Sequence, residues 1–179
     1  MVQKAICKCI PQLSKFFPEK AKGYLTNHIN NLRQSKDEAT CKASAYAAAG
    51  LIKCMGMQYS IEIDVFSVIA KECFESKKTE AIRKQAGLYF YDALSFIMGH
   101  SFEVFLPNVF PLILSSISDA KEPVRNAGLS ALKTVMGLFS NYAIKQALPQ
   151  FLTELKNDNW RSKFSTVEAL GNMAYCAPK

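Results

Sequence analysis

An all-α stack of helix pairs is the fold class this sequence predicts, and three observations predict it. The stretches GLIKCMG at 50–56, ALSFIMG at 93–99 and ALKTVMG at 131–137 spell nearly one word, and a looser copy, ALGNMAY, starts at 169. Their first residues, Gly50, Ala93, Ala131 and Ala169, lie 43, 38 and 38 positions apart. Inside each word the apolar positions fall at i, i+1, i+4 and i+5, which is a helical stripe and not the alternation of a strand. Finally, a polar turn precedes every word: RQSKDEATCK, ESKKTEAIRK, SDAKEPVRN and KNDNWRSK.

Taken in order, residues 1–17 read as the second helix of an incomplete pair. Four pairs follow at 18–57, 58–99, 100–139 and 140–179, each a first helix, a polar turn and a word-bearing second helix. The first helices are expected over the apolar segments 21–33, 61–74, 102–117 and 143–155. An amphipathic helix of this length cannot bury its own stripe, and stacking pair on pair does so. A period near forty with two helices per unit predicts a HEAT/armadillo-type right-handed α-α superhelix, a solenoid of about four helix pairs plus one leading helix. The interval of 43 predicts about one extra helical turn in the second pair, within YFYDALS.

Local signals fit the same frame. Ser35 with Glu38, and Asp119 with Glu122, have the spacing of a capping box. Pro107, Pro111 and Pro149 are read as early in their helices, where a missing N–H costs least. Gly50, Gly87, Gly99, Gly128, Gly137 and Gly171 fall in or at the ends of second helices, as sites of close helix approach. Gly56, Gly99 and Gly137 are also read as C-terminal caps. Met55, Met98, Met136 and Met173 are expected to fill the core. The first and last helices are apolar enough to want a neighbour, so the chain is expected to be a piece of a longer array, with dimerisation through those ends as the alternative.

Charge is uneven. The net charge is +7, and residues 1–42 hold eight Lys/Arg against three acids. A basic end favours an anionic partner such as RNA. The apolar runs YAAAGLI and VFPLIL are short of a membrane span, and MVQKAICKCI has no apolar core of a signal peptide, so a cytoplasmic protein is expected. The six cysteines form no Cys-x-x-Cys pair and neither histidine neighbours them, which predicts reduced thiols in the core and no metal or other cofactor.

No nucleophile elbow, phosphate loop, His-Glu-x-x-His or dinucleotide fingerprint is present, so no catalytic residue is assigned, no small-molecule substrate is expected and a non-enzyme is predicted. The residues that sit in or beside turns, where they can meet phosphates or protein partners, are Lys15, Lys20, Lys22, Lys36, Lys77, Lys78, Arg83 and Lys84. Trp160, with Arg161 and Lys163, opens the last second helix and reads as a contact anchor. Phe66, Phe74, Phe90, Phe96, Phe105 and Phe110 occupy core positions, which argues against base stacking. RNA, if bound, would be held by backbone charge and shape.

The stretch NDNWRSKFSTVEALGNMAYCAPK, with its Trp-Arg-x-Lys, TVEALG and MAYCAPK words, resembles the HEAT-repeat translational activators of the general control nonderepressible protein one family. The similar part is their segment akin to fungal translation elongation factor three. ASAYAAAGLIKCMG and ALPQFLTEL carry the resemblance upstream, over roughly residues 40–179. It implies a non-catalytic scaffold segment that associates with the ribosome and with an ABC-type ATPase partner. The parent protein would promote activation of the starvation-sensing kinase of initiation factor two alpha. Ribosomal proteins and rRNA backbone are the contacts it implies. A karyopherin-type transport receptor and a phosphatase-type HEAT scaffold stay open as alternatives.

Overall fold

The computed structural model describes residues 2–62, 64–75, 80–138, 140–156, 158 and 160–176, with backbone only at 57, 60, 75, 141, 142, 146, 172, 173, 175 and 176. Its described residues are helical and turn structure without a strand, in two compact units, 1–98 and 99–179. The all-α prediction holds.

The first unit is built from α1 (Val2–Ser14), α2 (Pro18–Gln34), α3 (Glu38–Met55), α4 (Met57–Glu62), α5 (Val65–Ala70), a π-helical turn Lys71–Glu75, and α6 (Ala81–Met98). Pro18 opens α2, where its fixed φ suits the first turn and its absent N–H has no partner to lose. Helix α3 packs against α1, α2 and α6. Its small residues allow this: an added Cβ at Gly50 would stand 2.9 Å from the Cys7 carbonyl oxygen and from Ile10 Cβ. Every residue of α6 from Gln85 to Ser95 is buried, and Gly87 admits the Phe74 ring at a distance no Cβ tolerates, 2.6 Å. Two tyrosine–carboxylate bonds join α3 to α6 in opposite senses. Tyr46 Oη donates to Asp92 Oδ2 at 2.7 Å, and Tyr89 Oη donates to Glu38 Oε1 at 2.6 Å.

The second unit contains a 3₁₀ segment Gly99–Phe105, α7 (Leu106–Ile117), α8 (Glu122–Met136), α9 (Asn141–Leu155) and α10 (Trp160–Cys176). Phe110 and Phe151 meet edge to face at its centre, 5.1 Å between centroids. Ser165 Oγ donates to the Ile117 carbonyl at 3.0 Å, tying α10 to the end of α7. Glu103 accepts from both Ser140 N and Ser140 Oγ at 2.8 Å, while Ser140 Oγ accepts from Ala143 N. A carboxylate from outside α9 thus completes the cap that a Glu at the third helical position would otherwise provide. The first residues of all four words, Gly50, Ala93, Ala131 and Ala169, are buried.

Several local expectations are corrected. The segment 61–74 is not one helix: Asp64 adopts a left-handed φ of 48°, a conformation Asp tolerates better than most residues, and a π turn follows α5. Helix α3 is capped by Asp37, whose carboxylate accepts from Thr40 N at 2.9 Å, while Glu38 is engaged by Tyr89. Before α8, Asp119 accepts from Lys121 N in a turn, and the N-cap Lys121 supplies no side-chain bond. Pro149 stands in mid-helix, and Pro111 stands inside α7 after the 3₁₀ lead-in.

Gly56 and Gly99 have the positive φ of helix-ending glycines, +87° and +60°; Gly137 stays right-handed at −63°. Gly171 meets nothing within 4 Å. Helix α6 is three residues longer than α8, yet α3 is as long as α6. The rest of the long interval lies between α3 and α6, in 56–80, where α4, α5 and the π-helical turn stand. The stretch Ala81–Ile117 is long and apolar enough to cross a membrane by length and composition, which the short apolar runs did not foretell. Its α6 portion is already enclosed by protein. Met98 and Met136 are buried and Met55 is half-buried; the side chain of Met173 lies outside the described residues.

Candidate partner-binding surfaces

The structure divides the described sequence-predicted basic residues of the first unit into two places. Lys15 is exposed in the turn after α1, and Lys20 and Lys22 are exposed on the first turns of α2. Lys20 Nζ lies 5.7 Å from the centroid of Phe17, and Lys22 Nζ lies 3.6 Å from Glu19 Oε1 and 5.9 Å from the Tyr59 centroid. Lys20 also lines a groove of about 310 Å³ with Leu13, Ser14, Phe17, Ala21 and Tyr24. Apolar side chains around it are open to solvent: Phe16 is 77% exposed, Leu13 67%, Phe17 61% and Tyr24 57%. Charge and aromatic surface alternate here, and such a mixture suits an anionic or amphipathic partner.

Lys36 lies beyond the far end of α2, a helix of 17 residues and so about 25 Å long at 1.5 Å per residue. There it precedes α3, beside which α6 begins with half-buried Arg83 and Lys84. Lys77 and Lys78 lie outside the described residues. Two lysines that turn position did not single out, Lys4 and Lys8, both stack on Phe96, at 4.8 and 5.2 Å from its centroid. Their i, i+4 spacing was the available signal.

In the second unit Trp160 is 69% exposed at the start of α10, and the Arg161 guanidinium stacks at 5.5 Å from its ring. Lys163 is exposed on the next flank. Sequence reasoning missed Phe164 and Val167, 65% and 59% exposed; an aromatic inside an apolar-looking helix reads as core until its partners are known. The Trp160–Phe164 edge borders a groove of about 300 Å³ with α8.

Titratable groups inside the first unit are tuned by burial. Burial raises the Cys7 thiol to about 11 and the Cys73 thiol to about 12. Burial, then the Asp92 contact, holds the Tyr46 phenol far above its ordinary range. These shifts keep the groups neutral and make them poor nucleophiles. Among the described residues no cluster of His, Cys, Asp and Glu is arranged to hold a metal ion.

Comparison with known proteins agrees with the repeat pattern. A family model described as EF3 N-terminal HEAT repeat matches residues 41–179. The human protein named stalled ribosome sensor GCN1 is 33% identical over 178 residues, 99% of this chain. The eIF-2-alpha kinase activator GCN1 of Saccharomyces cerevisiae is 32% identical, and Protein ILITYHIA of Arabidopsis thaliana 28%, each again over 99% of this chain. The chain spans only 6–7% of the length of these relatives. No solved structure matches it at a significant level. With helix pairs throughout and the matched region covering most of the sequence, the chain belongs to the EF3 N-terminal HEAT repeat family.

Proposed function

We propose that this chain is a non-catalytic scaffold segment of a cytoplasmic, ribosome-associated translational activator. It contributes contacts to the ribosome, to an ABC-type ATPase partner, or to both. By holding the parent protein on the ribosome it helps activate the starvation-sensing kinase of initiation factor two alpha. One observation carries the reading: identity of 32–33% runs along 99% of the chain to proteins named stalled ribosome sensor and eIF-2-alpha kinase activator. The exposed lysines Lys15, Lys20, Lys22 and Lys36 support it, because cations in turns or on the adjoining helix ends can follow a phosphate backbone without rearrangement. Ribosomal proteins and rRNA backbone are the expected contacts.

The test is co-sedimentation of the chain with ribosomes through a salt series. Binding that weakens steeply as salt rises is the expected result, because phosphate contacts release counterions. A chain that stays in the supernatant at low salt overturns a ribosomal contact for this segment.

A further inference from the structure

The corner between α1 and α2 carries three rings in the open. Phe16, Phe17 and Tyr24 are all more than half exposed. None of them is among the core phenylalanines that speak against base stacking in the sequence. The corner that holds them is fixed. Phe16 N donates to the Leu13 carbonyl at 3.3 Å, Phe17 N donates to the Ser14 carbonyl at 3.1 Å, and Pro18 opens α2 directly afterwards. The rings therefore stand in place without a loop having to be ordered on binding. Phe17 and Tyr24 line the groove of about 310 Å³ with Leu13, Ser14, Lys20 and Ala21, a volume at the small end of ligand clefts.

Charge at this corner favours one sign. Among the described residues, Lys20 is the one charged side chain in the groove lining. Over 13–24, Lys15, Lys20 and Lys22 stand against a single acid, Glu19. Glu19 already faces Lys22 at 3.6 Å, while Lys20 Nζ lies 5.7 Å from the Phe17 centroid.

An exposed ring beside an ammonium matches the chemistry of an unpaired nucleotide. The base stacks through its π face and keeps its polar edges in water, and the phosphate meets the neighbouring cation. Paired bases hide those faces, so a duplex cannot use the rings. An extended peptide finds no strand edge here along which to pair its amides. A stacked helix pair would have to enclose Lys20, and the lining holds no acid to pair it there. The seams between the chain's own helices set the comparison: none of the described lysines or arginines is buried in them.

We propose that the α1–α2 corner binds unpaired RNA, with bases stacked on Phe17 and Tyr24 and phosphates beside Lys15 and Lys20. The inference rests on the ribosome-associated reading above and adds base stacking to the backbone contacts expected there.

The probe is an oligouridine of about twelve nucleotides with 2-aminopurine at its centre, a base whose emission falls when it stacks. Unlabelled oligouridine and a GC-rich RNA duplex are the competitors. Emission is expected to fall on binding, and the duplex to compete about 10-fold less well than the single strand. A Phe17→Leu, Tyr24→Leu chain keeps the apolar area that a peptide or a stacked helix would use and loses only the π faces. Its affinity for the probe is expected to drop by about 10-fold or more, and because both side chains are exposed its thermal melt should stay close to that of the intact chain. Lys20→Gln is expected to reduce the fall of log K with log salt by about 0.7, the value for one phosphate of a single strand. An unmoved emission overturns the proposal, as do equal competition by the duplex and undiminished affinity of the leucine variant. So does an emission change that disappears in the full-length product of the gene, which would assign the rings to a neighbouring helix pair. No ribosome enters this assay. Its failure leaves contact through ribosomal proteins or rRNA backbone standing, and a failed co-sedimentation leaves this result readable.

Discussion

Replacing Tyr46 by Phe removes one oxygen from the seam between α3 and α6 and leaves the ring in place. The bond removed is a 2.7 Å donation to a carboxylate, with Tyr46 and Asp92 each 4% exposed. A hydrogen bond to a charged group is worth about 1.5–3 kcal/mol, and leaving its acceptor buried adds desolvation rather than relief. Tyr46→Phe should therefore lower unfolding free energy by about 2 kcal/mol. Tyr89→Phe is the internal control. It breaks an equally short bond between the same helices, but Glu38 is exposed and water can replace the phenol. Its cost should be about 0.5–1 kcal/mol. Urea unfolding followed by far-UV circular dichroism gives both numbers from midpoint shifts at constant slope. A Tyr46→Phe chain no less stable than Tyr89→Phe would refute the assignment of this buried pair as a main tie between the helices. The pH dependence carries its own sign. The Tyr46 phenol is raised by burial and by Asp92, so its contribution is present below the unfolded tyrosine value of about 10 and is lost as pH rises above it. Tyr46→Phe should flatten that alkaline loss.

Other outcomes follow from the same packing. Gly50→Ala forces a Cβ against the Cys7 carbonyl oxygen and should cost about 1–3 kcal/mol in urea unfolding. Gly171→Ala meets open space and should gain about 0.5–1 kcal/mol from helix propensity. The His28 imidazole, half-buried beside Ser44, is lowered by burial from 6.5. Stability should then fall as pH drops below 6.5 through the folded value, and His28→Gln should remove part of that slope in thermal melts at successive pH values. Thiol-reagent labelling should modify exposed Cys9 well before Cys7 and Cys73, whose thiols are buried and raised to about 11 and 12.

The helix pairs were readable because burial forces the same stripe to recur. The four words place a small residue wherever one second helix meets its neighbours, and Gly50 against α1 shows the reason. What local sequence could not decide was competition within polar turns. In QSKDEAT both Ser35 and Asp37 offer an acceptor, and only the structure shows that Ser35 ends α2 and accepts from Asp37 N while Asp37, directly before α3, accepts from Thr40 N. Nor could periodicity foresee a left-handed Asp64 or the π turn after α5, since both preserve apolar spacing nearby. Lysines in turns were legible as exposed. Their grouping was not, because Leu13 and Ser14 of the α1 end join Lys20, Phe17 and Tyr24 in one groove only through the angle between α1 and α2. Trp160 announced itself by standing in a turn, whereas Phe164 shares the spacing of a core residue and is revealed as exposed only once Ser165 and Thr166 are seen to fill the packed face.

The most direct measurement compares ribosome co-sedimentation of the chain with that of a Lys20→Glu, Lys22→Glu, Lys36→Glu variant across salt. The scaffold reading predicts weaker binding for the variant at low salt and a shallower fall of log K with log salt, by roughly one unit of slope for each phosphate no longer neutralised. Superimposable curves for the two chains would contradict it.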